Sequence, residues 1–195
     1  MGRKIKHCVL HAILNIYFRR WLMDFEQVLS LRRSVRQFQN KEIPETLINK
    51  MVRAGECSPV GKADFSHYAI AVITDSDILS SLAAEDEKIT GRGNPVFDAP
   101  LVFLIMSRDG ALDDSIKLNA GIIAENIHLE ATNLGLASVC VYSFIRNLKN
   151  RKEDSSWLPR MDLPKGYHPE FAVAVGYPAT EIKERPCRAR IPVFR

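Results

Sequence analysis

The stretch LRRSVRQF, Leu31 to Phe38, sets three guanidiniums, Arg32, Arg33 and Arg36, around one hydroxyl, Ser34. Arginine remains charged at any physiological pH, and its planar fork grips an oxyanion through two parallel N–H donors. A serine hydroxyl beside it adds another donor, so the set suits a phosphate dianion. The same residues also make a solvated basic turn, since short arginine-rich stretches are common on surfaces. A second basic pair, Arg188 and Arg190, flanks Ala189, and in an extended segment both side chains fall on one side. Two such clusters could serve one anion if the fold joins the two ends of the domain.

Other chemistries lack their residues. No Walker loop is present and no G-x-G-x-x-G follows a strand, which disfavours a dinucleotide-binding Rossmann site. Neither H-E-x-x-H nor G-x-S-x-G occurs, and His67 and His128 read as structural. Cys8, Cys57, Cys140 and Cys187 are scattered without a C-x-x-C pair. That pattern argues against metal or disulfide frameworks and for a reducing cytoplasm. With no obvious nucleophile or electrophile among the side chains, a bound cofactor is favoured as the carrier of the chemistry.

The 195 residues carry a formal net charge of +4, but unevenly. Residues 1–22 hold Arg3, Lys4, Lys6, Arg19 and Arg20 and no acid, so the remainder is close to neutral and no nucleic-acid partner is indicated. The apolar run CVLHAILNIYF in that extension is too short to span a bilayer, so no stable membrane insertion is expected. Three readings stand for residues 1–22: an extension upstream of a start at Met23, an added amphipathic helix packed on the domain, or a membrane-surface helix. Residues 23–195 read as one domain.

Positioning such a site requires a frame, and the chain alternates helical and strand-like segments. Asp24 can cap a short helix, and a second follows Pro44 and stops before Pro59. HYAIAVIT and APLVFLIMS are dense apolar runs of strand length, expected as interior strands, with the helical SDILSSLAAEDEKI between them. DDSIKLNAGIIAENIHLEATNLG has apolar residues at spacings of three and four and Gly135 placed for a left-handed cap, which predicts a central, largely buried helix. LASVCVYSF and PEFAVAVGYP add two strand candidates. The fold class is α+β, a mixed sheet of four or five strands wrapped by helices.

RRSVRQF, CSPVGKADFSHYAIAVI, DAPLVFLIM, NAGIIAENIHLEATNLGLASVCVYSF and VGYPA followed by RARIP, in that order from about Asp24 to Pro192, together resemble the nitroreductase family of FMN-dependent oxidoreductases. The resemblance implies an intertwined homodimer that binds FMN, takes electrons from NAD(P)H and passes them to a small organic acceptor, such as a nitroaromatic or quinone, by ping-pong hydride transfer through flavin N5. It implies Arg32 and Ser34 on the FMN phosphate and ribityl chain, Arg33 contributing through its backbone, Arg36 near the pyrimidine end, and Arg188 and Arg190 closing over the phosphate. Ser58, Pro59, Val60 and Gly61 would line the partner's flavin. Cys140 would pack on the ring, with Val141 beside it and the backbone of Tyr142 and Ser143 near N5. No side chain is implied as a catalyst.

Ala63 and Phe65 stand where the family usually has Asn and Gln, which suggests a more apolar substrate pocket. The SPVG version resembles a smaller, less characterised nitroreductase-like subgroup. Two other readings accompany this one: a flavin-binding storage or regulatory protein without turnover, and a different flavin chemistry on the same fold, such as reductive dehalogenation or flavin fragmentation. A helix capping the pocket is expected between Ser143 and Pro164.

Overall fold

The computed structural model describes residues 23–150, 155–186 and 191–194. In chain order the elements are α1 (Phe25–Leu31), α2 (Glu45–Glu56), β1 (Tyr68–Ile73), α3 (Ser76–Thr90), β2 (Leu101–Arg108), α4 (Asp113–Asn133), β3 (Ala137–Val141), α5 (Ser143–Asn150) and β4 (Tyr167–Gly176). Among the described residues, those from Arg32 to Ile182 form one compact unit, and residues 23–31 with 183–186 and 191–194 belong to another. In the latter, the Gln27 N–H donates to Asp24 Oδ1 at 2.8 Å, capping α1 as the sequence predicts.

The larger unit is built on a four-stranded sheet in the order β1-β2-β4-β3. Every ladder is antiparallel, and the mixed character expected from the sequence is confined to one parallel bridge between Ser34 and Ser138. β2 is buried from Leu101 to Ser107, as a central strand covered on both faces must be. β1 departs from expectation: among the described residues it is an edge strand that pairs with β2 alone. The physical reason is that side-chain apolarity reports on the faces of a strand. Its edges are defined by backbone N–H and C=O groups, which composition does not encode.

Alternation along the strands divides the core into two layers. Val102, Leu104, Met106, Val139, Ala172 and Ala174 pack with Leu82 of α3, Phe144 of α5 and Trp157. Leu101, Phe103, Ile105, Val173 and Val175 pack on the other side with Met51 of α2 and Ile123 and Ile127 of α4. Gly135 ends α4 with a φ of +74°, the left-handed geometry anticipated for it.

α4 is less enclosed than its sequence suggests. Ala120, Ile123, Ala124, Ile127 and Ala131 form its buried stripe, but Leu118 is 68% and Ile122 39% exposed. A helix with two apolar sides needs cover on both, and among the described residues only the first is covered. No helix among the described residues is long and apolar enough to cross a membrane.

Candidate functional site

The arginine-rich segment leaves α1 and runs beside the free edge of β3. Ser34 bridges Ser138, and the Val35 N–H donates to the Ser138 carbonyl at 3.0 Å. Farther along, the Gln39 N–H donates to the Tyr177 carbonyl at 2.9 Å and the Ala179 N–H to the Gln37 carbonyl at 3.0 Å. Phe38 sits against Gly176, where a Cβ would come within 2.8 Å of the ring, so only glycine allows this approach. The segment is thereby fixed by backbone bonds at both ends, while the Ser34 and Arg36 side chains remain exposed.

Arg32 turns inward from this segment toward α4. Its Nη1 donates to His128 Nε2 at 2.9 Å, and its Nε lies 3.7 Å from a carboxylate oxygen of Glu125. His128 Nδ1 bonds the Ser138 hydroxyl. Glu125, His128 and Cys140 bring their polar atoms within 4.8 Å of one another, so Arg32 and Cys140 belong to one cluster. Burial first, and the Arg32 charge second, push the His128 imidazolium down to a pKa of about 4. Burial, assisted by Glu125 and opposed by Arg32, pushes the Cys140 thiol up to about 11. Burial raises the Glu125 carboxyl, with Arg32 opposing. The result is a guanidinium at the surface of a neutral imidazole and a neutral thiol.

Cys140 faces the α4 layer, and Val141, one residue on, faces the opposite core layer. Tyr142 stacks on Phe171 with ring centroids 6.0 Å apart, and Ser143 begins α5. The Arg146 N–H donates to the Tyr142 carbonyl, so the N–H groups of Ser143, Phe144 and Ile145 precede the first intrahelical bond and face outward from the helix start. Arg36 rests with its guanidinium carbon 5.6 Å from the centre of the Phe97 ring. Arg33 is half-buried in the same segment. Arg188 and Arg190 lie outside the described residues.

Ser58 to Gly61 are placed elsewhere. Ser58 is buried and its hydroxyl accepts from Asn126 Nδ2 at 2.8 Å, while the Gly61 N–H donates to Asn119 Oδ1 at 3.2 Å. Asn119 Nδ2 in turn donates to the Tyr68 hydroxyl at 2.9 Å. Pro59 is exposed, and the half-buried Val60 lines, with Ser58, Phe65 and Ile123, a cleft of about 410 Å³. At about 100° per residue, Asn119 and Asn126 share one side of α4, and His128 projects from nearly the opposite side. Leu118, Ile122 and Glu125 lie between them. Sequence reasoning passed over Asn119, Glu125 and Asn126 and read His128 as structural. The available signal was polar side chains recurring inside an otherwise apolar helix, which has meaning only once the neighbours are known.

A larger cleft of about 1020 Å³ opens between the start of α2, one side of α3 and the segment leading into β2, with Glu42, Glu45, Glu87 and Asp98 on its walls. Those carboxylates disfavour an anion, and the cleft holds none of the residues singled out above.

The fold is shared with flavoproteins of known structure. It superposes on a nitroreductase with bound FMN from Bacteroides fragilis with a TM-score of 0.75 at 19% identity, covering 89% of this chain and 100% of that one. A nitroreductase with bound FMN from Desulfitobacterium hafniense gives a TM-score of 0.73 at 18% identity over 89% and 100% of the two chains. Residues 29–177 match the model of the Nitroreductase family, and the protein belongs to that family. A Methanothermobacter thermautotrophicus protein named NADH dehydrogenase/NAD(P)H nitroreductase is 29% identical over 80% of this chain and 78% of its own. A Staphylococcus aureus NADPH-dependent oxidoreductase is 27% identical over 76% of this chain but only 62% of its own length.

Proposed function

We propose that the protein is an FMN-dependent oxidoreductase that uses NAD(P)H to reduce a small organic acceptor, a nitroaromatic or quinone among the candidates, and that it works as a homodimer. The observation that carries this reading is the docking of Arg32 and Ser34 on the edge of β3, in one cluster with Cys140. The residues fit the cofactor: a guanidinium has five N–H donors, and among the described residues Arg32 directs Nη1 and Nε at its neighbours. The remaining donors and the exposed Ser34 hydroxyl are available to a phosphate. At the other end, the first N–H groups of α5 supply donors for a polar ring edge, and the protonated Cys140 gives an uncharged surface beside it.

When bound, FMN supplies hydride exchange between a nicotinamide nucleotide and the acceptor in two alternating half-reactions. The chain's part is to bind, orient and exclude water. Arg32 and Ser34 hold the phosphate, Arg36 brings positive charge to the pyrimidine end, and the backbone of Tyr142 and Ser143 fixes the ring. α5 lies within the interval expected for a helix over the pocket and would cover the same end. Homology with nitroreductases named for NAD(P)H and structural likeness to FMN-bound relatives support both cofactors.

The geometry of α4 supports the dimer. Its uncovered stripe, Leu118 and Ile122, separates the side that holds Ser58–Gly61 from the side that meets Arg32. Packing two such stripes about a twofold axis would bring each SPVG segment toward the other subunit's Arg32, so that Ser58, Pro59, Val60 and Gly61 serve the site in trans.

The test is the visible spectrum of the purified protein, release and chromatography of its chromophore, and anaerobic titration with NADH and NADPH, with the mass in solution by light scattering. FMN that bleaches on nucleotide addition, in a particle of twice the chain mass, is the expected result. A protein that neither carries nor takes up FMN overturns the proposal, and one whose FMN neither nucleotide bleaches would leave flavin binding without turnover.

A further inference from the structure

We propose that His128 is a positioning residue for the flavin phosphate, acting through Arg32, and that Ser138 holds the imidazole in the tautomer this requires. The inference rests on the FMN reading above. Arginine has no acceptor, so the Arg32–His128 bond can only run from Nη1 to a lone pair on Nε2. The proton of the ring therefore resides on Nδ1, which donates to the Ser138 hydroxyl. His128 is 1% exposed, so neither nitrogen has water as an alternative partner. Its depressed pKa agrees with a ring that remains neutral.

A neutral acceptor is the useful choice here. It fixes the direction of a guanidinium without cancelling the charge that must meet the phosphate, whereas a carboxylate in the same place would do both. Glu125, the acid paired with Arg32 among the described residues, is half-exposed and sits at the longer distance of 3.7 Å. Ser138 has two tasks in this arrangement. Its carbonyl accepts from Val35 and so docks the arginine-rich segment, and its hydroxyl orients the ring that aims Arg32. Backbone and side chain of the phosphate site are thus referenced to a single residue of β3.

Glu125, His128 and Cys140 also have the mutual spacing of a three-ligand cation site. The occupied Nε2 lone pair, a thiol that stays protonated and the adjacent guanidinium all oppose that alternative. The cluster is a clamp for Arg32.

The experiment compares FMN with riboflavin, which lacks the phosphate, as ligands of the flavin-stripped protein. The unmodified protein should prefer FMN, and Arg32→Ala should abolish the preference. His128→Leu should weaken FMN about 10-fold, equivalent to about 1.4 kcal/mol, leave riboflavin unchanged, and add nothing in the Arg32→Ala background. His128→Gln, whose amide oxygen can accept from Arg32, should recover most of the affinity. In ¹⁵N spectra of the flavin-free protein at pH 6, Nδ1 should be protonated and Nε2 not. Equal weakening of both flavins by His128→Leu, full additivity with Arg32→Ala, or a proton on Nε2 would overturn the inference while leaving the FMN reading intact. A protein that binds neither flavin would remove both.

Discussion

Gly176→Ala tests whether the arginine-rich segment is rigidly docked. Gly176 ends β4 opposite Ala137, and a Cβ there would stand 2.8 Å from Phe38 Cδ1 and 2.9 Å from Phe38 Cβ and Cγ. Rotating the ring relieves the contacts with Cδ1 and Cγ but not the one with Cβ, which moves only with its backbone. That backbone is tied to the chain after β4 by the Gln39–Tyr177 and Ala179–Gln37 bonds. Overpacking of this kind costs about 1–3 kcal/mol. In a protein of this size about 2 kcal/mol corresponds to a fall in Tm of roughly 4–8 °C. Flavin affinity should fall with it, because the displaced segment carries Arg32 and Ser34. Urea denaturation of Gly176→Ala, Phe38→Ala and the double variant gives the coupling directly. Removing the ring relieves two of the three contacts, so the double variant should be more stable than the sum of the singles by about 0.5–1 kcal/mol. An unchanged midpoint for Gly176→Ala, or strict additivity, would refute the docking argument.

His128 has a folded-state pKa of about 4 against an ordinary 6.5, so folding favours the neutral ring; its stability contribution is present above pH 6.5 and is lost as the pH falls toward 4. Between pH 7 and pH 5 the unfolding free energy should therefore drop by about 2 kcal/mol more in the unmodified protein than in His128→Leu, and parallel pH profiles would contradict the assignment. Asn126→Ala leaves the buried Ser58 hydroxyl without its donor and should cost about 1–2 kcal/mol in urea unfolding, with an equal effect in a Ser58→Ala background counting against the pair. With its thiol pushed up to about 11, Cys140 should resist iodoacetamide at pH 7.5 while the exposed Cys57 reacts, and peptide mapping that finds both labelled at one rate would contradict this.

Much of the frame was legible from residue order. The apolar run at Leu101–Arg108, the period of α4 and the caps at Asp24 and Gly135 are local signals, because strand, helix and cap chemistry depend on neighbours within a few positions. The edge position of β1 was not legible, since pairing is a backbone property settled by topology. Nor was the open side of α4, which carries apolar residues that resemble core ones until the chain is folded and they are found uncovered.

The candidate site divides in the same way. Sequence by itself determined the family, through motifs in order along the chain, and supplied the guanidinium and hydroxyl set at Arg32–Arg36 from which the proposed site is built. Tertiary structure decided the partners. Arg32 and His128 are separated by 96 positions and meet at 2.9 Å, and Ser138 joins both to the edge of β3. Ser58–Gly61 lies across α4 from Arg32. Side-chain type sets what a group can donate or accept and is written locally, whereas which donor finds which acceptor is set by long-range packing that no short window of sequence contains.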